Sequence, residues 1–130
     1  MSVYRSKIDL HCHSNASDGA LSPKDLVSRA CSLGLTHLAL TDHDTCAGIE
    51  EAQQAAAGRL ELIPGAELSA TWNGYQIHIA GLFLNYRNPV FMAYTEGQKL
   101  LRTQRAQEIS AKLERLGFHD MLAKAQMRAG

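Results

Sequence analysis

The chain has 130 residues, 45% of them hydrophobic and 20% charged, and its 13 basic side chains balance 13 acidic ones. That is enough for one domain with its own core. No apolar run approaches the ~20 residues of a membrane span, and a formal net charge of zero leaves no overall nucleic-acid footprint. Three scattered cysteines do not read as a disulfide framework. The stretch Met1 to Lys7 carries no apolar block of the signal-peptide kind, so a cytoplasmic protein is expected.

The balance hides an asymmetry. Residues 1–98 hold six Lys/Arg against ten Asp/Glu, and residues 99–130 hold seven against three. An acidic part suits a site for several cations. The basic tail could face a polyanionic substrate or be a solvated helix face.

Ile8 and Leu10 alternate with Asp9 and His11, the pattern of a short strand. Side chains two apart on a strand share a face, so His11 and His13 project together and Cys12 points the other way. The next turn carries Asp18, as a ligand or as the turn former of an Asp-Gly pair. Imidazole and carboxylate donors together suit zinc, iron or manganese better than calcium.

Ser22-Pro23-Lys24-Asp25 opens a helix, with Ser22 as N-cap and Pro23 at the first helical position. Leu26, Val27, Ala30 and Leu33 form its apolar stripe, and Gly34 ends it. His37-Leu38-Ala39-Leu40 reads as a buried strand running into Thr41-Asp42-His43-Asp44-Thr45. His43 between two aspartates collects charge where only a cation would make it cheap. Asp42 and Asp44 would orient His43 or bind water, and Asp42 could also structure the turn. A second helix is expected from about Ala47 to Ala57, then a strand over Leu60-Glu61-Leu62-Ile63 and a turn at Pro64-Gly65 leading into Ala66-Glu67. Strand alternating with helix implies parallel strands, whose chemistry collects at their carboxyl ends.

Asn73-Gly74 is a two-residue hairpin signal. Pairing Trp72 with Tyr75, two aromatics that read as cross-strand packing or as a base-stacking pair, sets Ser69 opposite His78 and Glu67 opposite Ala80. Glu67 and His78 then share a face as diagonal neighbours about 7–8 Å apart at the backbone, within reach of one ion. A long helix follows from Asn88-Pro89 to about Leu116, with Gly97 as its weak point or break and Gly117-Phe118 as its stop. His119 to Ala129 could begin another. Arg102 and Arg105, one turn apart, could clamp a phosphate or belong to a solvated face. His37 and His119 read as structural or exposed, and Cys12, Cys31 and Cys46 as plain small residues, Cys46 lying nearest the candidate site.

The four segments His11-Cys12-His13, Thr41-Asp42-His43-Asp44-Thr45, Gly65-Ala66-Glu67 and Ile77-His78-Ile79, in this order, resemble the polymerase and histidinol phosphatase (PHP) superfamily of metal-dependent phosphoesterases. The likeness covers about residues 6 to 118 and is nearest to the stand-alone branch acting on nucleotide 3′-phosphates and short RNA. It implies an α/β fold, a partial, distorted (β/α)7 PHP-type barrel. Residues 1–87 would form the barrel portion and residues 88–130 a helical segment that starts an inserted subdomain.

The resemblance also implies two or three divalent metal ions (Mn, Zn or Fe) and a nucleotide or short oligonucleotide phosphate ester as substrate, hydrolysed by metal-activated water. His11, His13 and Glu67 would serve one metal, Glu67 and His78 a second, and Asp18 with His43 a third. The family draws further ligands from late strands, and none is matched after residue 78. The expectation is therefore the N-terminal part of a longer enzyme. The missing barrel half could instead come from another chain, or the half-barrel could lack catalysis. Two other functions fit the same donors: a metal-dependent hydrolase of C–N bonds, and a metal-binding regulatory or structural domain.

Overall fold

A computed structural model describes residues 7–129; the reading of the first six residues lies outside them. The elements in chain order are β1 (Ile8–Cys12), α1 (Pro23–Ser32), β2 (His37–Leu40), α2 (Ile49–Ala56), β3 (Glu61–Trp72), β4 (Tyr75–Leu82), α3 (Pro89–Arg115) and α4 (Met121–Ala129). One four-stranded sheet has the order β1-β2-β3-β4. Its first three strands are parallel and β4 returns antiparallel on β3. The result is a curled half-barrel, the partial PHP-type barrel expected.

Local chemistry sets the helix ends. Ser22 accepts from the Asp25 N–H at 3.1 Å and caps α1. Asn88 accepts from Val90 N–H at 2.9 Å and opens α3. At the other end of α3, Gly117 takes a positive φ of 88°, so that Phe118 N–H reaches Leu113 O and Gly117 N–H reaches Glu114 O, each at 3.0 Å.

The core lies between the sheet and the helix pair. Val27 and Ala30 of α1, Ile49, Ala52 and Ala56 of α2, and Leu38 and Leu40 of β2 are all buried together. Ala39 is buried as well, so β2 is covered on both faces, as a central parallel strand is. Large side chains such as Leu38, Leu40 and Ile49 contribute about 2 kcal/mol each by leaving water. Helix α3, which buries no residue, receives nothing of that kind.

Four expectations need correction. Leu33 lies past the end of α1 and is 56% exposed, outside the apolar stripe. Pro64-Gly65 is no turn, because β3 runs unbroken from Glu61 to Trp72. Pro64 still pairs with Leu40 in register and offers its carbonyl to Leu84 N–H at 3.0 Å. Gly97 does not interrupt α3. Trp72 and Tyr75 pair in register, but both rings stand largely exposed.

Candidate metal centre

The donors arrive from five places at one end of the sheet. β1 and its continuation deliver His11 and His13, the loop after them Asp18, the loop after β2 His43, β3 Glu67 and β4 His78. The hairpin register is the one its turn dictates, with Trp72 on Tyr75, Ser69 on His78 and Glu67 on Ala80. A bridge pairs His43 with Glu67, which extends the parallel order past the end of β2.

Glu67 is the hub. Its Oε2 lies 2.9 Å from His13 Nε2, 3.3 Å from His11 Nε2 and 3.7 Å from His43 Nδ1, and its Oε1 lies 3.3 Å from His78 Nδ1. Asp18 reaches His13 Nδ1 at 3.1 Å and His43 Nε2 at 3.6 Å. Three donor groups result, each with its atoms within 4.8 Å of one another: His11, His13 and Glu67; His13, Asp18 and His43; His43, Glu67 and His78. The first is the set read for one metal. In the other two, His43 joins Glu67 and His78, and His13 joins Asp18 and His43.

These atoms fit cations. Nε2 of His11 and of His13 stand 3.3 Å apart against the same carboxylate oxygen, and acceptors crowded in this way repel unless a proton or a metal lies between them. His43 Nδ1 is buried with no hydrogen-bond partner, an expensive state for a polar atom with nothing to bind. Mixed imidazole and carboxylate donors suit Zn, Mn or Fe.

The aspartates flanking His43 hold its surroundings. Asp42 is 1% exposed and accepts three bonds from the loop after His13: Ser14 N–H at 2.7 Å, Ser14 O–H at 2.7 Å and Ser17 O–H at 2.6 Å. Asp44 accepts from Ser69 N–H at 2.7 Å, from Tyr94 O–H at 3.3 Å, and from Arg102 at 2.6 Å and 3.2 Å. Burial alone would raise the Asp44 carboxyl; the Ser69 N–H and the Arg102 guanidinium outweigh it and hold the group below the usual carboxylate range. Both aspartates therefore brace neighbouring segments, and neither bonds the His43 ring.

Thr41, fully buried, stands 3.3 Å from His11 Nδ1 while donating to Cys12 O at 3.1 Å. That pairing lets His11 donate from Nδ1 and turn Nε2 to the centre. Ser14, Ser17, Thr41 and Tyr94 were not among the residues read from sequence. The first three sit within four positions of a donor, a signal that adjacency could have given. Tyr94 had no such signal.

Cys12 points away from the histidines and donates to Ala39 O at 3.1 Å. Burial, then Asp9 and Asp42, push its thiol up to about 12. Burial and Asp42 push Cys46 to about 11, and none of the three donor groups includes a cysteine. His37 pairs with Glu61 at 3.3 Å at the start of β2, away from the centre. Beside the donors opens a cleft of about 1360 Å³ whose far wall is α3, with Lys99, Arg102 and Arg105 on it. Arg102 is already engaged by Asp44, whereas Arg105 lines the cleft.

Comparison with known proteins gives a consistent answer. The family model described as PHP domain matches residues 9–123. The chain is 54% identical over 113 residues to a 5′-3′ exoribonuclease of Haemophilus influenzae, covering 86% of this chain and 41% of that protein. It is 40% identical over 114 residues to a 3′,5′-nucleoside bisphosphate phosphatase of Chromobacterium violaceum, covering 87% and 40%. A solved structure from Chromobacterium violaceum, described as an amidohydrolase with bound sulfate and no metal, superposes with a TM-score of 0.86 at 39% identity, covering 94% of this chain and 43% of that one. The chain thus spans about two fifths of the length of the curated relatives it matches.

Proposed function

The chain belongs to the PHP domain family, and from that premise we propose that it carries the metal-holding part of a phosphoesterase acting on nucleotide or oligonucleotide phosphate esters. The observation that carries the reading is Glu67, with both carboxylate oxygens facing imidazoles of His11, His13, His43 and His78. Two or three divalent ions, drawn from Mn, Zn or Fe, would occupy this centre. Bound there, they would neutralise phosphate oxygens and activate a water for attack. The chain's own residues fix the arrangement. Glu67, facing imidazoles with both carboxylate oxygens, would hold more than one ion, and Asp18, with a side chain 67% exposed, would close the solvent side. Arg105, and with it Lys99, would meet substrate phosphates from α3.

The relatives are an exoribonuclease and a nucleotide phosphatase, which supports a nucleic-acid phosphate as substrate. Their length, and an outer edge of β1 that no other strand pairs among the described residues, support further barrel strands and ligands supplied by the rest of a longer chain or by another chain. Residues 1–87 would be the barrel portion and residues 88–130 the start of an inserted helical subdomain. Free thiols at Cys12, Cys31 and Cys46 agree with a cytoplasmic location. Among the described residues no helix is long and apolar enough to cross a membrane.

Release of phosphate from a nucleoside 3′,5′-bisphosphate, or of a mononucleotide from a 5′-phosphorylated trinucleotide, abolished by chelator and by His43→Ala, is the expected result. Elemental analysis of protein purified without added metal would identify the ion. The amidohydrolase description of the structural neighbour favours one competing reading, hydrolysis of a C–N bond. Turnover of a cyclic amide without phosphate release would establish that alternative. Tight metal binding with turnover of neither would make this a binding domain.

A further inference from the structure

Helix α3 spans 27 residues, buries none of them, and yet forms one wall of the cleft. Apolar burial is therefore not what keeps it there. The segment that enters it is pinned by Arg87 to Glu50 at 2.9 Å and by Tyr86 to Gln53 at 3.1 Å. Beyond that point, the side-chain hydrogen bonds from α3 to the barrel portion, among the described residues, come from Tyr94 and Arg102 and end on Asp44 and the Ser69 carbonyl.

Asp44 is placed to make this matter. Its side chain is 2% exposed, and its own N–H donates to Glu67 O at 3.0 Å. Its carboxylate takes the N–H of Ser69, the residue opposite His78. One buried carboxylate thus joins the His43 loop, the Glu67–His78 hairpin and α3. A guanidinium paired with a carboxylate through two N–H groups is both strong and directional.

We propose that Asp44, Arg102 and Tyr94 form a latch that docks α3 as the roof of the metal centre, and that Arg102 and Tyr94 are positioning residues for substrate lying between them. The latch rests on geometry alone; the role toward substrate rests on the phosphoesterase reading. The wall that α3 forms stands across the cleft from His43 and His78, so it would meet a substrate longer than one nucleotide. With the latch open, α3 pivots about Asn88-Pro89 and carries Lys99 and Arg105 out of the cleft. A small phosphoester that touches only the metal centre would not register the loss.

Hydrogen exchange on the full chain tests the latch, using Arg102→Ala, Asp44→Asn and their double variant. Amides of residues 98–115 should exchange at least tenfold faster in each single variant, those of β2 should be unchanged, and the double should be no faster than the faster single. Unchanged exchange in α3, or additive effects in the double, would overturn it. Arg102→Ala leaves the buried carboxylate and its Ser69 bond in place, so it keeps the test open should Asp44→Asn misfold. With Mn²⁺ supplied, Arg102→Ala should raise KM for a 5′-phosphorylated trinucleotide at least tenfold and leave kcat for p-nitrophenyl phosphate within twofold. Equal losses on both substrates would refute the positioning role. If the wild-type chain turns over neither, the phosphoesterase reading fails while the exchange result still decides the latch.

Discussion

At the scale of single residues, the centre depends on side chains that touch no metal. Asp42 satisfies three donors from the Ser14–Ser17 loop, and that loop fixes where Asp18 and the His13 ring stand. Asp42→Ala would leave those donors unpaired in a buried place, so unfolding in urea should show a loss of about 3 kcal/mol. Metal affinity by calorimetry should fall about 10–100-fold in the same variant, the usual effect of removing a residue that orients ligands. A loss of stability with unchanged affinity would mean that the loop holds its shape without Asp42. Cys46 offers a pH test. Its thiol, raised by burial to about 11, favours the neutral form, so the folded state is fully supported below the ordinary thiol range and weakens as pH rises from about 9 toward 11. At pH 8 its alkylation should be about a hundredfold slower in the folded chain than in urea. Cys46→Ala should flatten the alkaline fall in stability.

At the scale of elements, legibility follows distance along the chain. The cap at Ser22, the Asn73-Gly74 turn and the Gly117 stop are each decided by a few adjacent residues, and each could be read. The turn dictated the register, and the register brought Glu67 beside His78. Pro64-Gly65 misled because turn chemistry was read without the neighbours. Gly65 is needed for close approach: a Cβ there would meet Gly81 O at 2.8 Å and Thr41 Cγ2 at 2.9 Å. The docking of α3 was illegible in principle, since Tyr94 and Arg102 lie 50 and 58 residues from Asp44 and no local spacing encodes that pairing. Arg102 read as a phosphate clamp for the same reason: its spacing from Arg105 was visible and Asp44 was not. Two alanine substitutions separate the glycines. Gly65→Ala forces backbone apart and should cost at least about 2 kcal/mol. Gly97→Ala, with nothing within 4 Å of its Cβ, should stabilise the chain by up to about 1 kcal/mol. Thermal melts of both variants would check the signs.

At the scale of the whole molecule, the sheet has two outer edges among the described residues. β1 and β4 are its outer strands, and they carry Ile8 and Leu10, and Ile77 and Ile79, all exposed. An uncovered strand with apolar side chains is a template for pairing, and the half-barrel presents one on each flank. The core between β2, α1 and α2 draws on neither β1 nor β4 for its buried side chains, so in the 130-residue chain taken by itself these edges would remain adhesive. Self-association that depends on concentration follows, detectable by sedimentation at roughly 10–100 µM, the range in which such edges pair. Leu10→Lys places a charge on the β1 edge, a device by which natural sheets block pairing. It should abolish or sharply reduce association. Since Leu10 is 44% exposed, the melting temperature should move little. Sedimentation as a monomer across that range, by the wild-type chain, would show that its edges are already protected.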